Sequence, residues 1–151
     1  MRMLAVGDSY MAPDYFRRAF EALEPEHEIS YLTIDPDRPF VPRTVSERRL
    51  REYEGTPAQL MEHLTGIEIL VVHGAPVTDE VLTSSGVLRL VCCVRGGPAN
   101  VDLDAASACG IPVVNTPGKN AEAVADQTLA FLIMLARGFP NSASEWSTHA
   151  K

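Results

Sequence analysis

Four short stretches carry the residues best suited to chemistry, and each follows an apolar run: residues 7–9, 73–76, 95–98 and 116–120. The third stretch, Arg-Gly-Gly-Pro, is a turn with little side-chain bulk, where a ligand can approach the backbone. Successive N–H groups at a glycine turn can hold an anion, and Arg95 can add a bidentate charged contact. The sequence therefore predicts an anion site at Arg95, Gly96 and Gly97. A simple tight turn with Arg95 in water is the structural alternative.

His73 ends a buried apolar run in the second stretch. A lone histidine at such a place is more often a hydrogen-bonded rim residue than an acid, a base or a metal ligand. We therefore expect His73 to contact a ligand at most, and we assign it no catalytic role.

Strands and helices must alternate along the chain to position these stretches. Apolar patterns predict strands at residues 3–6, 28–34, 67–72, 88–94 and 111–115, and helices at 13–23, 45–53, 57–64, 78–85, 103–109 and 121–137. Five short strands separated by helices imply a parallel sheet covered on both faces. Right-handed crossovers then favour an α/β, flavodoxin-like doubly wound domain of strand order 2-1-3-4-5. Ligands of such sheets bind beyond the carboxyl ends of the strands, where the four stretches lie.

Composition and charge narrow the class of protein. With 151 residues, 46% of them apolar, the chain has room for about one domain with a real core. A net charge of −7 argues against nucleic acid and membrane-surface partners, because both require clustered Lys and Arg. No apolar run is typical of a signal peptide or a membrane span, so we expect a cytoplasmic protein.

We interpret the three cysteines and the run of arginines at positions 48–51 as structural rather than functional features. Cys92 and Cys93 are adjacent on a predicted strand, which indicates reduced core thiols rather than a disulfide framework. No Cys-x-x-Cys or His-x-x-x-His spacing occurs, so we expect no metal site. Arginines 48, 49 and 51 are interleaved with glutamates 47, 52 and 54 in and directly after the predicted helix 45–53, which indicates a solvated helix face.

Residues 88–137 carry a resemblance to a known family. They match the order strand, turn block Gly-Arg-x-Gly-x-Gly-x-x-Asn-(Val/Ile)-Asp, helix, and Asn-Thr-Pro-x-x-Asn. The residues that fall in register are Asn100, Val101, Asp102, Asn115, Thr116, Pro117 and Asn120. In this the chain resembles the D-isomer-specific 2-hydroxyacid dehydrogenases, especially the phosphoglycerate dehydrogenase branch. The turn departs from the pattern, because Cys92, Cys93 and Arg95 replace Gly, Arg and Gly and only Gly97 is retained.

The resemblance implies a substrate-side domain at residues 1–118, and at 119–151 a linking helix and the start of a Rossmann nucleotide-binding domain. It also implies hydride transfer between a small 2-hydroxy or 2-oxo acid and NAD or NADP in the complete enzyme. The implied substrate contacts are His73, Gly74, Arg95, Gly96, Gly97 and Asn120, and Gly96 also borders the nicotinamide. The apolar helix 121–137 implies a homodimer, since in the family this helix packs near the subunit interface.

No Gly-x-Gly-x-x-Gly occurs in the 151 residues, so the dinucleotide fingerprint is missing. In the family that motif and the catalytic arginine, glutamate and histidine lie beyond the matching part, so no catalytic residue is carried over. We therefore expect the N-terminal part of a dehydrogenase, which by itself is inactive and binds no cofactor. A non-catalytic binding or regulatory module derived from this domain is the main alternative.

Two other classes of protein, a hydrolase and a phospho-receiver domain, fit the sequence less well. Gly7-Asp8-Ser9 resembles the nucleophile block of Gly-Asp-Ser hydrolases, but the partner motif Asp-x-x-His is missing, because Trp146 stands three positions before His149. A phospho-receiver domain shares the fold but requires an aspartate at the end of the third strand. Val72 and His73 occupy that place.

Overall fold

A computed structural model describes residues 1–23, 25–35 and 41–139. The chain divides into two compact units, Met1–Pro117 and Gly118–Lys151. The elements of the first unit are the strands β1 (Arg2–Gly7), β2 (Glu28–Thr33), β3 (Ile69–Val72), β4 (Leu90–Cys93) and β5 (Val113–Asn115), and the helices α1 (Pro13–Phe20), α2 (Pro57–Met61), α3 (Asp79–Ser84) and α4 (Leu103–Ala108). All four strand pairings are parallel and the order is β2-β1-β3-β4-β5, so the predicted doubly wound α/β fold is confirmed.

Side chains that alternate along the central strands build the two core layers. Leu4 and Leu70 pack with residues of α2, α3 and α4 on one face of the sheet. Ala5 and Val71 pack with Phe16 of α1 on the other face. Because both faces of β1 and β3 are buried, these strands consist almost entirely of apolar residues. The predicted helices on both faces are confirmed.

The predicted helix at 45–53 is wrong. Only a 3-10 turn, Glu47–Arg49, forms there, and Leu50 is already extended. The cause is Glu47, which is 4% exposed rather than solvated. Its carboxylate accepts hydrogen bonds from the Arg43 and Thr44 amides and from the Tyr53 hydroxyl. Burial and the Glu47 charge together raise the pKa of Tyr53 to about 12.

Several helix ends also differ from the prediction. Helices α1 and α2 end at Phe20 and Met61, three residues earlier than predicted. Thr78 precedes α3, but its hydroxyl donates to the Glu80 carboxylate instead of capping the helix. Asp102 caps α4, since its side chain accepts from the Ala105 amide.

The second unit contains the helix α5 (Ala121–Ala136), and residues 140–151, including Trp146 and His149, lie outside the described residues. Its helical character agrees with the prediction. The exposed apolar side chains are Val124, Leu129, Phe131, Leu132, Ile133, Met134 and Leu135. None of the helices in the described part of the chain is long and apolar enough to cross a membrane.

Candidate functional site

The carboxyl ends of the strands place the predicted stretches on one edge of the sheet. The segment 7–9 follows β1, 73–76 follows β3, and 95–98 follows β4. Parallel pairing brings these ends side by side, since Val6 pairs with Val72 and Val72 pairs with Cys93. These three stretches form two groups with different chemistry.

The first group, called the Asp8 cluster, consists of Asp8, Ser9, Glu54, His73 and Gly74. The Asp8 carboxylate lies at its centre and accepts four hydrogen bonds. One oxygen accepts from the amides of Tyr10 and Met11, at 2.9 and 3.0 Å. The other lies 2.8 Å from His73 Nδ1 and accepts from the Gly74 amide at 2.6 Å. His73 is therefore a hydrogen-bonded rim residue, as its position in the sequence suggests.

Burial and hydrogen bonding act on the Asp8 carboxyl in opposite directions. Burial raises the pKa of Asp8, because it disfavours the charged form. The hydrogen bond and charge of His73, and the amides of Tyr10 and Met11, more than offset this effect. The pKa of Asp8 consequently lies below its ordinary value, and the group is ionised at neutral pH.

Close packing around Asp8 explains the glycine at position 74. A Cβ atom on Gly74 would lie 2.7 Å from the Asp8 carboxylate oxygen. That distance is shorter than any ordinary contact, so the approach of the Gly74 amide to Asp8 requires a residue without a side chain. The Gly74 N–H points inward, toward Asp8, and is already used.

The segment 51–54 runs along this edge of the sheet and contacts both groups. The Arg51 amide donates to the Ala99 carbonyl, and the Glu54 amide donates to the Gly74 carbonyl. The Glu54 carboxylate accepts from the Ser9 hydroxyl at 2.6 Å. Ser9 is thus bound to a carboxylate, and no hydrogen bond to His73 is formed, which argues against a serine hydrolase arrangement.

The second group, called the glycine turn, is residues 95–98. Its carbonyl groups are held from β5, because Thr116 donates through its amide and hydroxyl to the Arg95 carbonyl and the Asn115 side chain donates to the Gly96 carbonyl. Within residues 1–23, 25–35 and 41–139, neither the Gly96 N–H nor the Gly97 N–H donates a hydrogen bond. Both glycines are exposed. The turn therefore presents two successive donors that a bound anion could use.

Space beside the glycine turn is open. A Cβ atom on Gly97 would meet nothing within 4 Å. A cleft of about 540 Å³ adjoins it, lined by Gly97, Pro98 and Ala99 on one side and by Arg49 and Arg51 on another. The space is open because Gly96 and Gly97 have no side chains. Their backbone is not strained, since neither glycine has a positive φ.

Arg95 does not point freely into water. Its guanidinium lies 2.8 Å from the Glu52 carboxylate, and its side chain is 19% exposed against 69% for Glu52. A carboxylate thus already occupies the group that was predicted to bind an anion. The buried Asn100 supports the turn from below, because its side chain donates to the Ala75 carbonyl and so joins the loops after β3 and β4.

The residues predicted to contact the substrate thus lie in different parts of the structure. His73 and Gly74 belong to the Asp8 cluster, and Arg95, Gly96 and Gly97 belong to the glycine turn. Asn120 lies in the second unit, where it precedes α5 and makes no side-chain capping bond, so its role stays a prediction. Among the residues that the structure covers, no group of three or more metal-binding side chains is found.

Sequence reasoning missed several residues that shape this edge. Glu52, Glu54 and Asp8 received no role, although the Gly-Asp-Ser motif drew attention to position 8. The acidic residues that interrupt the run of arginines were the available signal for Glu52 and Glu54. Their partners, Arg95 and Ser9, are 43 and 45 positions away in sequence. No local pattern reports such pairs.

Comparison with known families gives one match over most of the chain. A model of the D-isomer specific 2-hydroxyacid dehydrogenase catalytic domain matches residues 27–150. Two curated relatives support the same family. The YoaD protein of Bacillus subtilis is 44% identical over 70 residues, which are 46% of this chain and 20% of that protein. The D-3-phosphoglycerate dehydrogenase of Methanocaldococcus jannaschii is 32% identical over 88 residues, which are 58% of this chain and 17% of that protein.

Solved structures share the fold. An NAD+-bound 3-phosphoglycerate dehydrogenase of Entamoeba histolytica superposes with a TM-score of 0.65 at 18% identity, covering 89% of this chain and 38% of that chain. At this identity the likeness concerns the fold alone. The chain therefore spans well under half the length of the relatives and of the solved chain that it matches.

Proposed function

Because this chain belongs to the D-isomer specific 2-hydroxyacid dehydrogenase family, we propose that it forms the substrate-side part of a phosphoglycerate dehydrogenase-like oxidoreductase. The proposed reaction is NAD(P)-dependent oxidation of the CH–OH group of a small 2-hydroxy acid, or reduction of the 2-oxo acid. The observation that carries the proposal is the glycine turn, where Gly96 and Gly97 are exposed and their N–H groups donate no hydrogen bond within the described part of the chain.

In this proposal the chain's own residues bind and orient the acid. The Gly96 and Gly97 N–H groups donate to the substrate carboxylate, and Thr116 and Asn115 hold the turn in place through the Arg95 and Gly96 carbonyls. Arg95 supplies positive charge beside them once Glu52 moves aside. The space next to Gly97 admits the ligand without displacing a side chain.

NAD or NADP would supply the hydride acceptor in the complete enzyme, with Gly96 bordering its nicotinamide end. The residues present here fit only that border, because the chain has no Gly-x-Gly-x-x-Gly to hold the dinucleotide phosphates. We therefore assign to this chain the substrate contacts and no proton or hydride step. A non-catalytic module that retains the anion site is the second candidate, favoured by the missing fingerprint.

The decisive experiment assays the complete gene product beside the chain 1–151. We expect the complete product to reduce NAD+ or NADP+ with a D-2-hydroxy acid, and the chain alone to show neither turnover nor micromolar NAD affinity by calorimetry. D-3-phosphoglycerate, D-lactate and D-glycerate serve as substrates. A complete product that oxidises none of a broad 2-hydroxy acid panel would favour the non-catalytic module.

We also propose that the protein is a homodimer through residues 121–137. The support is that α5 is apolar on all sides from Leu129 to Ala136 and largely exposed there, and such a helix needs burial on more than one side. A second copy of the same helix can supply an apolar surface of several hundred Å². Light scattering after gel filtration should give a dimer, and Leu132→Glu should give a monomer, whereas Val87→Glu in the first unit should not. A monomeric wild-type chain at high concentration contradicts the proposal.

A further inference from the structure

The cleft beside the glycine turn is lined from that turn to the start of α4. Gly97, Pro98 and Ala99 belong to the side of the turn, and Leu103 and Asp104 are the first two residues of α4. Its volume of about 540 Å³ leaves room for more than the carboxylate that the glycine turn is proposed to bind. The residues at the start of α4 therefore bear on what the remainder of a bound acid can be.

Four charged side chains of described residues line the cleft, and two of them neutralise each other. The Arg49 guanidinium lies 3.3 Å from the Asp102 carboxylate, whose side chain is only 3% exposed. The other Asp102 oxygen accepts from the Ala105 amide at 3.0 Å. Arg49 and Asp102 are thus committed to holding the start of α4, and neither is left for a ligand.

The other two charged side chains, Arg51 and Asp104, have opposite signs. Both residues are exposed, and within the part of the chain that the structure describes neither side chain has a hydrogen-bond or ion-pair partner. The Arg51 main chain is fixed beside the glycine turn, because its amide donates to the Ala99 carbonyl at 2.9 Å. Positive charge therefore accompanies the glycine turn, and negative charge lies at the start of α4.

The rest of the lining is apolar. Pro98, Val101 and Leu103 line the cleft, and Leu103 is 49% exposed. Surfaces of this kind bind the methylene groups of a ligand, while a few polar groups fix its ends. The cleft thus suits a molecule with an aliphatic middle and ends of opposite charge.

We propose that the cleft selects a 2-hydroxy acid that carries a primary ammonium group at its far end, and that the Asp104 carboxylate binds this group. A second anionic group is disfavoured, because Asp104 repels it and Arg49 is already paired with Asp102. The carboxylate end of the ligand rests on the proposed function. Selection at the far end rests on Asp104.

The test compares three acids of equal chain length. 6-Amino-2-hydroxyhexanoate ends in an ammonium group, 2-hydroxyhexanoate in a methyl group and 2-hydroxyadipate in a carboxylate. NMR titration of the backbone amides of the chain 1–151 gives the Kd of each. We expect the amino acid to bind about three- to fivefold more tightly than 2-hydroxyhexanoate, the gain typical of one ion pair that faces solvent, and 2-hydroxyadipate to bind most weakly. The Gly97 and Asp104 amide signals should shift together.

Variants of Asp104 separate selection of the ligand from support of the helix. Asp104 is an acid in the first turn of α4, where it also favours the helix dipole. Asp104→Asn keeps the shape of the side chain, so a loss of the preference for the ammonium group reports its charge. Asp104→Lys should make 2-hydroxyadipate the tightest ligand, an inversion that a structural role does not produce. If Asp104→Lys fails to fold, Asp104→Asn decides.

Two controls accompany these variants. Asp14→Asn changes another exposed acid in the first turn of a helix, α1, and Asp14 is not among the residues that line the cleft. It should leave the order of the three affinities unchanged. Glycolate is too short to reach Asp104 from the glycine turn and should bind equally to the wild type and to Asp104→Asn.

Failure of this inference differs from failure of the proposed function. Equal binding of 6-amino-2-hydroxyhexanoate and 2-hydroxyhexanoate to the wild type, or a preference that persists in Asp104→Asn, overturns the role of Asp104 even if the complete gene product is an active dehydrogenase. Binding of none of the acids overturns it together with the carboxylate contact at the glycine turn. A preference that depends on Asp104, in a protein whose complete gene product oxidises no 2-hydroxy acid, supports the site and rejects the dehydrogenase.

Discussion

The Asp8 cluster and the glycine turn lie on the same edge of the sheet but are built in opposite ways. In the Asp8 cluster the donors face inward, since the Gly74, Tyr10 and Met11 amides all donate to one buried carboxylate. In the glycine turn the Arg95 and Gly96 carbonyls are bound, and among the described residues the Gly96 and Gly97 amides donate no hydrogen bond. A Cβ atom is blocked at Gly74 and unopposed at Gly97. The first region thus maintains its own shape, while the second leaves its donors and its space to a ligand.

The largest expected effect is the difference in stability between Gly74→Ala and Gly97→Ala, which each add one methyl group. Gly74→Ala should lower the free energy of unfolding by about 1–3 kcal/mol, because the new Cβ atom forces Asp8 away from its donors. Gly97→Ala should change it by no more than about 1 kcal/mol in either direction, since the space is open and φ is not positive. Urea denaturation measures both. Equal losses in the two variants would remove the contrast between the regions.

A smaller effect should appear in the dependence of stability on pH. The pKa of Asp8 is lower in the folded chain than its ordinary value of 3.8. Its contribution is therefore fully present above that value and is lost as the pH falls through the lower folded value. Urea denaturation between neutral and acid pH should show this decline, and Asp8→Asn should make it shallower.

Asp14 and Asp79 help to interpret the acid denaturation of Asp8→Asn. Asp14→Asn, which changes an exposed carboxyl on α1, is the matched control and should leave the pH dependence as in the wild type. Part of the decline should remain in Asp8→Asn, because a hydrogen bond from Ser46 also lowers the pKa of Asp79. An acid profile that is identical in wild type and Asp8→Asn would show that Asp8 is not the group responsible.

The smallest expected effect concerns Glu52. Glu52→Gln removes the carboxylate that lies 2.8 Å from the Arg95 guanidinium and should leave Arg95 available to an incoming anion. Glycolate affinity should rise by up to about fivefold, with little change in stability, since the Glu52 side chain is 69% exposed and ion pairs that face solvent contribute about 0–1 kcal/mol. Calorimetry should compare Glu52→Gln with the control Glu62→Gln, which removes another exposed carboxylate. Weaker glycolate binding in Glu52→Gln would mean that Glu52 supports the site rather than competing for it.

The fold was predictable because its signals are local. Apolar runs and the glycines and prolines between them located all five strands, and the right-handed crossover rule supplied their order. The glycine turn followed from the same reading, since Arg95-Gly96-Gly97 directly succeeds a buried strand. The helix predicted at 45–53 failed because the alternation of Glu and Arg is equally compatible with an exposed helix and with a segment that buries one carboxylate. Glu47 is buried, and the helix is reduced to one turn.

By itself, then, the sequence determined the parallel sheet, the edge at which we propose that ligands bind and the apolar helix α5, because each depends on the type and period of neighbouring residues. The tertiary structure alone decided which side chains meet at that edge. Asp8 and His73 are 65 positions apart, and Ser9 and Glu54 are 45 apart. Their contacts arise only when parallel pairing aligns the ends of β1 and β3 and the segment 51–54 is laid across them. Hydrogen bonds and ion pairs between distant residues depend on that packing, and no local pattern encodes it.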